Sequence, residues 1–151
     1  MLLINLFFDS SAFIAGIISD KGAARALLLL SEDKRISISV SEQVIVEVER
    51  NIAKKIPKIL YLTREFIRET NLIIHKDPNK KEVDEHINWI NHPADVPILV
   101  SAMKAKVDFL VTLNTKHFLD DPQVTLKSGL RIGTPGDALA CVRHQMTRTN
   151  E

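Results

Sequence analysis

The chain reads as an α/β domain built on a central, mainly parallel sheet, and three observations predict this. Two apolar runs, Leu2 to Phe8 and Phe109 to Thr112, stop abruptly in polar clusters, as strands buried on both faces do. Strand and helix signals alternate along the whole length, the pattern of layered α/β folds with parallel strands. Finally, 151 residues at 45% hydrophobic and 26% charged suit one domain, and no repeat, low-complexity tract or linker divides residues 1–151.

The elements follow in order. After the first strand, Ser11 to Ile18 and Gly22 to Leu30 read as helical, and Ile36 to Ser39 is a brief β-prone stretch. Val44, Ile45, Val48 and Ile52 then recur at helical spacing, with Ser39-x-x-Glu42 as a capping box at the start. Pro57 suits the first turn of a further helix, because it has no N–H to lose there. That helix is expected to carry Ile59, Leu60, Leu62, Phe66 and Ile67 inward. Leu72 to Ile74, followed by the turn signal Asp77-Pro78-Asn79, predicts a strand. Lys81 to Ile90 predicts a helix with Val83, Ile87 and Ile90 on one side, and Pro93-Ala94-Asp95 opens another whose buried stripe is Val96, Leu99, Val100, Met103 and Val107. Ile132-Gly133 closes a last weak strand, giving four or five in all. Thr134-Pro135-Gly136-Asp137 then supplies a capping threonine, a first-turn proline and a first-turn acid for the final helix.

Several function classes are excluded or disfavoured. No apolar stretch approaches the roughly 20 residues of a membrane span. Met1 to Phe8 lacks a basic leader and a cleavage site, so it is read as a strand rather than a signal peptide. The single cysteine, Cys141, rules out an internal disulfide and suits a reducing cytoplasm, where the protein is expected to reside. The five histidines form no i, i+4 pair and have no cysteine companions, which argues against a zinc site. The net charge of +1 conceals a division: Arg50 to Lys81 holds nine basic residues against three acidic, or +6, leaving −5 elsewhere. A solvated helix face explains such a segment, and so does a surface that meets a polyanion.

In parallel α/β sheets ligands gather beyond the carboxyl ends of the strands, which singles out Asp9 and Asn114; Asp95 starts the helix that feeds the second of those strands. Carboxylates converging there repel one another unless a cation or a raised pKa relieves them, and oxygen ligands with open positions suit Mg²⁺ or Mn²⁺. The simpler reading of Asp9 and Asp95 is that each caps a helix. Glu42, Glu47 and Glu49 all lie off the apolar stripe of their helix, and periodicity does not choose among them. His117 could contact phosphate, orient a water or cap a turn.

Five stretches together resemble the PIN domain family, which includes VapC-type toxins of toxin–antitoxin modules and related stand-alone nucleases. They are the strand ending in Asp9-Ser10-Ser11-Ala12-Phe13; Ser41 to Glu47, with a helical glutamate after a serine; Asp95-Val96-Pro97 leading an apolar, alanine-containing helix; Phe109 to Phe118, similar to a strand ending Thr-x-Asp; and Ile132 to Leu139, with its Thr-Pro helix start. No one stretch is specific; their order and spacing carry the likeness over nearly the whole chain. A phosphotransfer enzyme with an aspartyl nucleophile after its first strand is the weaker match, because a second Asp is needed two residues on and Ser11 stands there.

The resemblance implies a three-layer α/β/α fold and metal-dependent hydrolysis of single-stranded RNA. It selects Glu47 among the glutamates and implies Asp9, Glu47 and Asp95 as ligands of Mg²⁺ or Mn²⁺, with Asn114 as a fourth catalytic position and Ser11 and Thr112 as supporting groups. Arg50, Lys54 and Lys58, at i, i+4 and i+8, together with Lys116 and His117, are the expected RNA-binding residues. A cognate antitoxin and a homodimer are the further partners expected, and no membrane. One departure stands out. Asn114 occupies a place where many members carry an acid, and an amide can ligate but adds no charge and cannot act as a base. A PIN-like module with weakened catalysis, binding RNA or protein, is therefore the alternative.

Overall fold

The structure is a computed structural model, and it describes residues 3–149. Five strands, β1 (Asn5–Phe8), β2 (Ser37–Ser41), β3 (Ile73–His75), β4 (Phe109–Val111) and β5 (Arg131–Gly133), form one parallel sheet in the order β3-β2-β1-β4-β5. The helices are α1 (Ser10–Ile18), α2 (Ala23–Glu32), α3 (Glu42–Lys55), α4 (Leu60–Glu69), α5 (Lys80–Asp84), α6 (Val96–Lys104), α7 (Thr115–Leu119), α8 (Gln123–Ser128) and α9 (Pro135–Thr149). The chain steps from β1 out to β2 and β3, then crosses back past β1 to β4 and β5. Right-handed crossovers therefore place α1 to α4 on one face and α5 to α8 on the other, and α9 returns to the first face against α2. The expected three layers result.

The core lies where the central strands meet both helical layers. Leu6, Phe7, Phe8, Ile38, Val40 and Leu110 are fully buried, and Phe8 meets Phe13 of α1 edge to face at 6.5 Å. Helix α6 is apolar on several sides because it is buried on several sides, with Val96 and the run Ile98 to Ala102 all inaccessible. The edge strand β3 differs: Ile73 and Ile74 are exposed, and its three-residue length limits the unpaired edge it offers. Among the described residues no helix is long and apolar enough to cross a membrane.

Several expectations are corrected. The first strand was expected from Leu2, which lies outside the described residues; β1 begins at Asn5. Ser39 does not cap α3. It sits inside β2 and donates from Oγ to Asn5 Oδ1, while Ser41 is the cap and accepts from the Val44 N–H. Pro57 and Pro93 each open a short 3-10 turn, Pro57–Ile59 and Pro93–Asp95, rather than a full α-helix. Leu62 is exposed, because Thr63 and Phe66 take the inner face of α4. The helix expected over 81–90 stops at Asp84: the His86 ring donates to the Glu82 carbonyl at 2.7 Å, while its backbone N–H turns to Val83. Val107 is buried but lies beyond the end of α6. The Thr134 cap is as expected, with Thr134 Oγ1 accepting from the Asp137 N–H and the Asp137 carboxylate accepting in return.

Candidate active site

The direction of progression through the sheet reverses at β1. The helix after β1 leaves to one face and the helix after β4 to the other, so a crevice opens at the carboxyl ends of these two neighbours. The pairing of Phe8 with Val111 brings the next residues of the two strands, Asp9 and Thr112, together.

Asp9 is 7% exposed. Its Oδ1 accepts from the Ala12 N–H at 2.9 Å, which makes it the cap of α1, and from Ser11 Oγ at 2.6 Å; Oδ2 accepts from Thr112 Oγ1. The capping reading was thus correct, and it does not exhaust the residue. Burial pushes the Asp9 carboxyl above its ordinary value of 3.8, the three hydrogen bonds pull it back, and the negative charge of Asp95 raises it again. Ser11 Oγ also accepts from the Leu113 N–H, and Thr112 Oγ1 from the Asn114 N–H. The two hydroxyls expected to support the site therefore tie Asp9 to the loop after β4.

Glu47 comes from the second turn of α3. Its Oε2 accepts from Ser10 Oγ at 2.8 Å and its Oε1 from Gln43 Nε2 at 2.7 Å, so the residue next to Asp9 holds it. Asp95 ends a 3-10 turn ahead of α6 and makes no side-chain cap. Instead its Oδ2 lies 2.8 Å from His117 Nδ1, and the His117 ring stacks on His92 at 3.7 Å. His117, expected at RNA, meets a carboxylate first. His92 was not anticipated at all. The signal was available in the spacing of His92-Pro93-Ala94-Asp95, because residues three apart eclipse on a 3-10 turn.

The Asn114 side chain is exposed and does not cap α7, and Lys116 is exposed beside it. The basic stripe is corrected in part. Arg50 and Lys54 are exposed on α3, but the helix ends at Lys55 and Ile56 breaks its geometry, so Lys58 falls in the following turn. Along α3, Lys54 lies about 10 Å from Glu47, at 1.5 Å per residue.

The donor set around Asp9 fits a hard divalent ion. Two carboxylates repel across the crevice, neutral hydroxyls and an amide N–H hold the buried one, and among the described residues neither Asp9 nor Asp95 pairs with a lysine or arginine.

Known proteins share the fold that carries these residues. The sequence profile of the PIN domain family matches residues 5–116, which include Asp9, Glu47, Asp95 and Asn114. Among solved structures, VapBC2 from Rickettsia felis, bound to a DNA fragment from its promoter, is similar at a TM-score of 0.63 and 20% identity, over 87% of this chain and 98% of that one. PAE2754 from Pyrobaculum aerophilum is similar at 0.62 and 14% identity, over 93% and 96%. VapC20 from Mycobacterium tuberculosis, a toxin that cleaves the sarcin-ricin loop, is similar at 0.52 and 12% identity, over 70% and 86%. No curated protein matches in sequence. With the family profile spanning most of the chain and the fold shared with these structures, the protein belongs to the PIN domain family.

Proposed function

We propose that this protein is a metal-dependent endoribonuclease of the VapC type, hydrolysing phosphodiester bonds of single-stranded RNA in the cytoplasm. The observation that carries the proposal is the buried Asp9 carboxylate at the β1–β4 crevice, facing the charge of Asp95 and linked through Ser10 to Glu47. Asp9, Glu47 and Asp95 would hold one or two Mg²⁺ or Mn²⁺ ions. Bound there, the metal supplies Lewis acidity toward water and toward the phosphate. The chain's own residues do the rest. Ser11 and Thr112 fix the orientation of Asp9, Gln43 and Ser10 fix Glu47, and the N–H groups of Leu113 and Asn114 lock the loop onto those hydroxyls. Lys116 and Arg50 are the exposed cations nearest in sequence to these groups, and they serve the RNA backbone. With aromatic residues at 5% of the chain, recognition is of backbone and shape rather than stacked bases. The likeness to a VapBC complex supports a cognate antitoxin as a further partner of this chain, and a homodimer is part of the same proposal.

The test is incubation of single-stranded RNA with purified protein in Mg²⁺, in Mn²⁺ and in chelator. Fragments in either metal and none in chelator are expected. RNA bound equally in all three and left intact would instead identify a binding module with its catalysis lost, the reading that Asn114 favours.

A further inference from the structure

We propose that His92, Asp95 and His117 form a site for a divalent transition-metal ion of the Zn²⁺ class, beside the oxygen site around Asp9 and different from it in chemistry. The three residues offer one ligand atom each, all within 4.8 Å of one another, and all three are partly buried. Two separate features of the fold bring them together. The 3-10 turn Pro93–Asp95, closed by the Asp95 N–H on the His92 carbonyl at 2.9 Å, sets residues 92 and 95 one above the other. Helix α7, which follows β4 in the chain, delivers His117 to both, 2.8 Å from the carboxylate and 3.7 Å between the ring centroids.

Ligand atoms at about 2.0–2.2 Å from a tetrahedral centre lie about 3.3–3.6 Å apart, so an ion entering here replaces the 2.8 Å hydrogen bond between His117 and Asp95, with release of its proton, and draws in the His92 nitrogen, all three ligand atoms starting within 4.8 Å of one another. Among the described residues the His92 ring is held by its stack on His117 and by no hydrogen bond. Two imidazoles and one carboxylate are a borderline donor set, preferred by Zn²⁺, Co²⁺ and their neighbours over Mg²⁺, and three protein ligands leave a position open. An ion held here would also tie the turn before α6 to α7. Asp95 is shared with the nuclease reading, whereas the two histidines are not metal ligands in it, and this separates the tests.

The experiment is calorimetric titration of the metal-free protein with Zn²⁺, repeated with Co²⁺ while recording its visible absorption. Wild type is expected to bind one equivalent and to develop cobalt bands with nitrogen ligation. His92→Gln and His117→Gln, checked for retained fold by circular dichroism, are expected to weaken Zn²⁺ by at least about tenfold, and His92→Gln, which leaves the hydrogen bond between His117 and Asp95 in place, to have little effect on Mg²⁺. Asp9→Asn should leave Zn²⁺ binding intact. Absence of Zn²⁺ binding in wild type, or equal binding in both histidine variants, would overturn the proposal. A protein that binds Zn²⁺ as described but cleaves no RNA in Mg²⁺ or Mn²⁺ would overturn the nuclease reading and leave this one standing.

Discussion

Asp9 and Asp95 both precede a helix at the carboxyl end of the sheet, yet the fold treats them differently. Asp9 is a buried cap held by two hydroxyls and one N–H, all neutral. Asp95 is partly exposed, caps nothing and turns to an imidazole. The difference teaches that an Asp before a helix is a position rather than a role. What surrounds the carboxylate decides whether it holds a hard cation, a histidine or only the helix.

The largest effect is expected where the two regions share a residue. Asp95→Asn should reduce both Mg²⁺-dependent cleavage and Zn²⁺ affinity, each by at least about tenfold; loss of one with the other intact would show the centres to be independent. Next is the support of Asp9. Thr112→Val removes a hydroxyl donor from a buried carboxylate and should cost about 1–3 kcal/mol in urea denaturation at neutral pH. An unchanged midpoint would mean that the hydroxyl contributes nothing to holding Asp9.

A smaller effect appears with pH. Because the native Asp9 carboxyl sits above 3.8, the folded protein keeps a proton that the unfolded chain has released. Metal-free stability should therefore fall as pH rises from about 3.8 through the native value and level off above it. Asp9→Asn, with no carboxyl to titrate there, should lack that decline. A wild-type curve that rises against the variant in this window would contradict the assigned direction. The smallest effect is at Asn114: since its side chain is exposed, Asn114→Asp should tighten Mg²⁺ only a few-fold by calorimetry, and weaker binding would count against its nearness to the ion.

What was legible in the sequence follows the physics of each element. Asp9 and Thr112 were readable because buried parallel strands are apolar runs that end abruptly, and the sheet needs both ends at one level. Ser39 misled because a capping box is a local pattern, and the strand hydrogen bonding of β2 outcompeted it. The helix over 81–90 failed through a side chain: periodicity does not register that the His86 ring takes a carbonyl the next turn requires. Helices α7 and α8, of five and six residues, are too short for a periodic signal, so the position of His117 was invisible. His92 was not legible because the α-helical spacing of four does not relate it to Asp95; the 3-10 turn that it precedes has three residues per turn.

The most direct test of the central claim is cleavage of an end-labelled single-stranded RNA by wild type and Asp9→Asn, side by side in Mg²⁺, with both proteins shown to be folded. The account predicts fragments from wild type and intact RNA from the variant at equal concentration and time. Equal turnover by the two would contradict it.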